Sequence, residues 1–314
     1  MKLSWISPKA DATTERSALQ QSFWFSPSTP TNLGFCRFSF CLLMLFHFRN
    51  HYHTGWASVS DVFWHPTPLF QLFSIPVFPD PVLYGLDIVW TVAIATSAIG
   101  LFTRTSTMVA FVLSFYLLGL PHNFGKVSHS DAMVVLIMGI FAASYCGHSW
   151  SLDSLWRRYR GRPFDTAMSS EYTWPIRLIW SLLVLIYFGA AVSKLTYGGW
   201  AWISGDTIAR YLVTTQYTAL PPTSWAPYVV QYGWICFLIA LATVVLEFLA
   251  PLALVHPIAR LILIPSLWLM QFGIWLLMGV MFFPSLSSGL FWIPWDRIGC
   301  ILSRSSGNSA LQSA

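Results

Sequence analysis

The stretch YFGAAVSKLTYGGW, Tyr187 to Trp200, sets one lysine among residues that are otherwise apolar, small or aromatic. Lys194 follows Tyr187 by seven residues, two helical turns, so the two side chains leave one helix face, and Gly189, Ala190 and Ala191 leave room there for a close neighbour. An amine so placed has two uses. It can snorkel, burying its stem and putting the ammonium among lipid headgroups. Desolvated in a protein pocket, it becomes a base usable near neutral pH.

Four further ionisable residues lie in or beside apolar runs: Asp87, His129, Asp131 and Glu247. Each costs about 3 kcal/mol or more at the centre of a bilayer and therefore requires a reason. In KVSHSDAM, Ser128 and Asp131 have the S-x-x-D spacing of a capping box at a helix start, which leaves His129 as a polar interface residue or an acid/base partner. Glu247, in VVLEFLAPL, suits a proton relay or a structural pair with Arg260 or a backbone donor, and Asp87, in LYGLDIVW, suits an interhelical hydrogen bond. His47, His51 and His53 invite a metal, but the chain leaves helix near them and no carboxylate or thiol is adjacent in sequence, so no metal is expected. The chain contains neither a Gly-rich phosphate loop nor G-x-S-x-G, which leaves nucleotide and serine-hydrolase chemistry without support.

The elements that position these residues follow from composition. Of 314 residues, 55% are hydrophobic and 9% charged, with mean hydropathy +0.59, against roughly 25% charged residues in soluble domains. Apolar windows bounded by Pro, Gly and charge predict spans near 32–48, 82–102, 106–120, 131–147, 175–195, 229–250 and 259–281, with a shorter eighth segment near 283–295. The expected fold is all-α, a polytopic membrane helix bundle of seven to eight transmembrane helices with aromatic interfacial loops on the outer face. Its domains are a cytoplasmic tail over 1–30, the transmembrane domain over 31–296 and a flexible cytoplasmic tail over 297–314. The five cysteines, Cys36, Cys41, Cys146, Cys236 and Cys300, fall in or beside apolar runs without a C-x-x-C pair and are expected to be small buried hydrophobes.

Orientation follows from the cations, because short cytoplasmic loops accumulate Lys and Arg. RRYRGR puts Arg157, Arg158, Arg160 and Arg162 after the fourth span, and with that loop inside, Lys2, Lys9, Arg16, Arg104 and Arg260 also fall inside. The net charge of +5 thus reports on orientation in a multi-pass membrane protein with a cytoplasmic N-terminus, and no nucleic-acid partner is expected. By the same reading Lys194, His129 and Asp131 lie towards the outer face and Glu247 nearer the inner end. Two outer connections are long and rich in aromatics and proline, and Trp200, Trp202 and Trp225 in the second suit a membrane interface; residues 208–213 are expected to form a short interfacial helix.

Four segments in order resemble a known family: LGFCRFSFCLLMLFHFR, SHSDAMVVLIMGIFAASYCGHSWSLDSLWRRYR, WPIRLIWSLLVLIYFGAAVSKLTYGGWAWISGD and LMGVMFFPSLSSGLFWIP. Over about residues 31–296 the chain resembles the horizontally transferred transmembrane domain family, bacterial relatives of the vitamin K-dependent gamma-carboxylase. The most specific piece is Tyr187, Phe188, Ala190, Lys194 and Leu195, followed by Trp200 and Gly205. The resemblance implies that Lys194 is the base that deprotonates a vitamin K-like hydroquinone, that His129 falls on a functional histidine, and that Glu247 falls on an acidic position of the sixth span. It further implies a bacterial inner-membrane location, a lyase or quinol-linked oxidoreductase class if the chain is catalytic, and a quinone-type ligand near Tyr187, Trp200, Trp202, Asp131 and Glu247. The carboxylase carries a lumenal domain after its bundle for its peptide substrate, so the redox half of the reaction is the part expected here. The seventh span offers Leu269 and Gln271 where the family often has a histidine.

Two other functions compete with a quinol enzyme whose partners are the bilayer and a lipophilic ligand. One is a non-catalytic membrane protein assisting maturation of, or interacting with, secreted peptides, in which the outer aromatic loops carry function. The other is a small-solute transporter, for which repeated halves and paired broken helices are not evident in the sequence.

Overall fold

The structure, a computed structural model, describes residues 23–48, 53–125, 128–218, 223 and 225–298. The expectations for both tails, His51 and Cys300 lie wholly or largely outside these. Ten helices position the site: α1 Pro30–Phe48, α2 Asp80–Ile99, α3 Thr103–Gly119, α4 His129–Ala143, α5 Leu152–Tyr159, α6 Trp174–Ser193, α7 Gly199–Ile203, α8 Asp206–Thr218, α9 Gly233–Leu249 and α10 Pro257–Met278. Among the described residues the sole non-helical pairing is an isolated bridge between Ser28 and Ser169. Five helical runs are long and apolar enough to cross a membrane: Pro30–Phe48, Asp80–Ile99, Thr103–Phe124, Ser170–Ile203 and Pro257–Met278. α4 and α9 are apolar but shorter, so of the seven to eight crossings expected, five meet that length. The stretch 283–295 holds two short turns, Phe283–Ser287 and Ser288–Trp292, with Phe291 fully buried in the core.

The main core forms where α1, α2, α3 and α4 pack side by side, and α6 completes it with Ile179, Trp180 and Leu183. These helices bury one stripe and leave the rest apolar, as lipid rather than water requires: Leu42, Phe46, Val92 and Val112 are all exposed. Starts and stops are written locally. Pro81 in the first turn of α2 has no N–H to leave unsatisfied, and Gly100 ends the helix at φ 70°, with its N–H donating to Ser97 O and the Leu101 N–H to Thr96 O. Any side chain at Gly100 would also strike Ser151 and Arg37.

The fifth run departs most from expectation. Lys194 does not close the helix: the chain continues through a π turn, Lys194–Gly198, into α7, so that Ser170–Ile203 is one 34-residue run. α9 packs antiparallel along this extension, with Gly205 against Cys236 and Phe237 at one level and Lys194 against Glu247 at another. Glu247, near the C-terminus of α9, therefore shares a level with Lys194 instead of lying towards the opposite face. The interfacial helix expected over 208–213 is longer, α8, and packs on α9 through Ile208 and Leu212.

Candidate functional site

The centre forms where the π turn meets α9. A π turn widens the helix by one residue and recurs at functional positions. Here it carries Lys194 to Glu247, whose two carboxylate oxygens each accept from Nζ at 2.5 Å. Lys194 Nζ also lies 4.9 Å from the ring centroid of Trp202, a cation–π contact. Gly198 permits this approach, because a Cβ there would sit 2.9 Å from the Trp202 Cβ. The Glu247 side chain is 6% exposed and that of Lys194 21%, so the pair opens on the lysine side alone. The ammonium is thus tied to a buried carboxylate, which replaces snorkelling as the account of this cation and supplies Glu247 with a partner other than Arg260. Arg260 instead donates to the Ala253 and Leu254 carbonyls.

Tyr187, two turns before Lys194, is buried against Ala250, Ala253 and Leu267. It lines a cavity of about 10 Å³ with Val184, Ile264 and Trp268, room for a single water. Oε1 of Gln271 is buried and without a hydrogen-bond partner. Trp200 is 71% exposed, outside the packing. His129 occupies the first position of α4 and is exposed, while Ser128 Oγ accepts from the Asp131 N–H at 3.3 Å, the expected cap, with Asp131 half-buried in the first turn. No hydrogen bond or ring contact among the described residues joins His129 to Lys194. The structure therefore gathers Lys194, Glu247, Trp202 and, two turns away, Tyr187, and leaves His129, Asp131 and Trp200 outside that cluster.

Two polar clusters differ from the sequence reading: Asp87, expected in an interhelical hydrogen bond, meets a loop histidine, and a buried arginine was not singled out. His53 Nδ1 lies 2.7 Å from Asp87 Oδ1 with both side chains buried, boxed by Phe48 and Trp90, whose Nε1–H donates to Ser114 Oγ. The carboxylate missing beside the histidines in sequence is supplied in space. Among the described residues no three His, Cys, Asp or Glu side chains converge as a metal site, and His47 stacks on Phe283.

The second cluster is Arg37, fully buried in α1. Its guanidinium donates to the carbonyls of Ser97, Ala98, Cys146 and Trp150. These carbonyls belong to the C-terminal end of α2 and the chain just beyond α4, where helix dipoles present partial negative charge, so a cation can be held without a carboxylate. Beside it Asp153 accepts from the N–H groups of Phe102 and Thr103 and from Thr103 Oγ1, capping α3. The signal was present in sequence as a charge inside LGFCRFSF and an aspartate inside SWSLD.

Comparison with family models, curated proteins and solved structures finds no match.

Proposed function

We propose that the chain is an integral membrane protein that binds a lipid-soluble quinol at the open side of the Lys194–Glu247 pair, with Lys194 as the base. The observation that carries this reading is a lysine held by a buried carboxylate and a tryptophan face at a π turn, at a depth where an uncompensated charge is costly. The water-sized cavity at Tyr187 cannot admit a quinone ring, so a ring engaging Lys194 would lie against the exposed side of the turn, beside Trp202. A bound quinol would supply an acidic O–H and two-electron redox chemistry. Glu247 sets the lysine's direction and can hold the proton that Lys194 must lose before it accepts another. Trp202 provides a flat wall for the ring and keeps water from one side of the amine. The likeness to the carboxylase relatives, a bacterial inner membrane and a cytoplasmic N-terminus belong to the same proposal.

Mass spectrometry of lipids co-purified in native nanodiscs tests it. A quinone enriched with the wild type and depleted at least about tenfold by Lys194→Met or Trp202→Ala is the expected result. Bulk phospholipid alone would sink the quinol reading. The second reading, a non-catalytic maturation or interaction protein, draws on the exposed Tyr197, Trp200, Tyr211, Tyr217 and Trp225 along the extension and α8. It is favoured if removing Trp200 and Tyr217 abolishes capture of a secreted peptide while Lys194→Met leaves capture unchanged.

A further inference from the structure

A cleft of about 250 Å³ opens between α1 and α2 and shares no lining residue with the Lys194 centre. It follows α2 from Tyr84 to Ile94, about 15 Å of helix. Tyr84, Ile88 and Val92, one turn apart, are exposed, whereas Met44, Trp90 and Ile94 on its other walls are buried, so it leads from the surface of the bundle towards the core. Its volume exceeds the about 150 Å³ that holds one small apolar ring inside a packed core. Asp87, itself buried, is the charged residue of the lining. His53 holds one carboxylate oxygen, Oδ1; no hydrogen bond or ion pair among the described residues engages the other, Oδ2. The neighbouring donors are spent: Trp90 Nε1–H goes to Ser114 Oγ, and the Thr91 hydroxyl donates to the backbone carbonyl of Asp87.

With those donors spent, the proton that meets Oδ2 comes with a ligand. Asp87 stands about 10 Å from the start of α2, within an apolar run where a further charge costs a few kcal/mol, which favours a neutral O–H over an ammonium. We propose that the cleft binds a long-chain lipid alcohol, its hydroxyl donating to Asp87 Oδ2 and its chain lying along Ile88 and Val92 to Ile94. The order of the walls matches such a molecule, with the acceptor near the start of α2 and hydrocarbon contacts over the next two turns. His53, on Oδ1, fixes the carboxylate that the alcohol meets. This site stands independently of the quinol reading, because none of its residues belongs to the Lys194 centre.

The test is photolabelling of the full chain in nanodiscs with hexadecanol that carries a diazirine midway along its chain. The label should map, by peptide mass spectrometry, to the segments holding Met44 and Val92. Unlabelled hexadecanol should compete roughly tenfold better than hexadecyl methyl ether, which keeps the chain but has no O–H to donate to a charged acceptor. Asp87→Leu should bring that ratio close to one. Because Asp87→Leu can also impair folding, Ile88→Trp is measured beside it: it fills the mouth from an exposed position and should cut the label roughly tenfold, whereas Val112→Trp, exposed on α3, should leave it unchanged. Equal competition by alcohol and ether in the wild type, or label spread alike over the exposed faces of α1, α2 and α3, would overturn the site. Stronger competition by hexadecylamine than by hexadecanol would overturn the neutral head in favour of a cationic one.

Discussion

Buried charge organises this molecule residue by residue, and each case carries its own compensation. Arg37 has four carbonyl acceptors and no counter-charge. Replacing it with Met would leave those acceptors unpaired in the core at about 1–3 kcal/mol each, so a loss of at least about 3 kcal/mol is expected in a detergent unfolding titration. Glu247→Gln removes the partner of a part-buried ammonium and should cost about 3 kcal/mol, whereas Lys194→Met with Glu247→Leu together should cost less than either alone, a coupling a double-mutant cycle reads directly. His148, between α4 and α5, has its basicity lowered chiefly by burial and then by Arg157, partly offset by Asp165. It stacks on Phe164, and its Nδ1 lies 2.9 Å from the Tyr172 hydroxyl. A histidine that resists protonation when folded takes up its proton on unfolding. Stability is therefore full above about pH 6.5, the ordinary histidine value, and declines as pH falls from there through the lower value of the folded state. Melting temperatures at pH 7.5 and 5.0 should differ, and His148→Gln should narrow the gap.

Elements were legible in sequence wherever one apolar period ran between clear punctuation. α2 runs Asp80–Ile99 where its window gave 82–102, between PDP and Gly100, and α4 begins at the cap that S-x-x-D spells. The π turn after Ser193 was not legible, because nothing local announces it; the GG signal itself holds, since Gly199, at φ 52° and ψ −142°, breaks the helical backbone before α7 resumes the run. The level of Glu247 was missed for the same reason. With the helix believed to end at residue 195, antiparallel packing would set Lys194 opposite the start of α9 and not its last turn. Gly205 maintains the actual register: its φ is 93°, and a Cβ at this position would sit only 2.7 Å from the Phe237 N, so the bare backbone lets the extension come against α9. Gly205→Ala should therefore cost about 1–3 kcal/mol and, more tellingly, loosen the Lys194–Glu247 pair without touching it. Crosslinking of cysteines placed at Leu195 and Phe248 should fall in the variant, whereas a purely local strain would leave it intact.

At the scale of the whole molecule, the two ends of the bundle differ in chemistry. One gathers Arg37, Asp153, Arg157–Arg162, Arg177 and Arg260; the other carries α7, α8 and their exposed aromatics beyond the Lys194 pair. The cation bias was legible from loop composition, but the contacts that turn it into a charged floor, Arg37 on two helix ends and Asp153 on a third, link residues fifty or more positions apart that no local window joins. The asymmetry also gives an orientation, since the end rich in arginine should face the cytoplasm. Tyr159 and Tyr217, each 86% exposed, mark the two ends. The four cysteines in described segments are buried and free, so with Cys300 changed to Ser they form a quiet background for labelling. In intact cells a membrane-impermeant maleimide should label Tyr217→Cys and spare Tyr159→Cys until the membrane is opened. The reverse pattern would put the Lys194 centre on the cytoplasmic side, and a quinol docking there would have to release its proton inward.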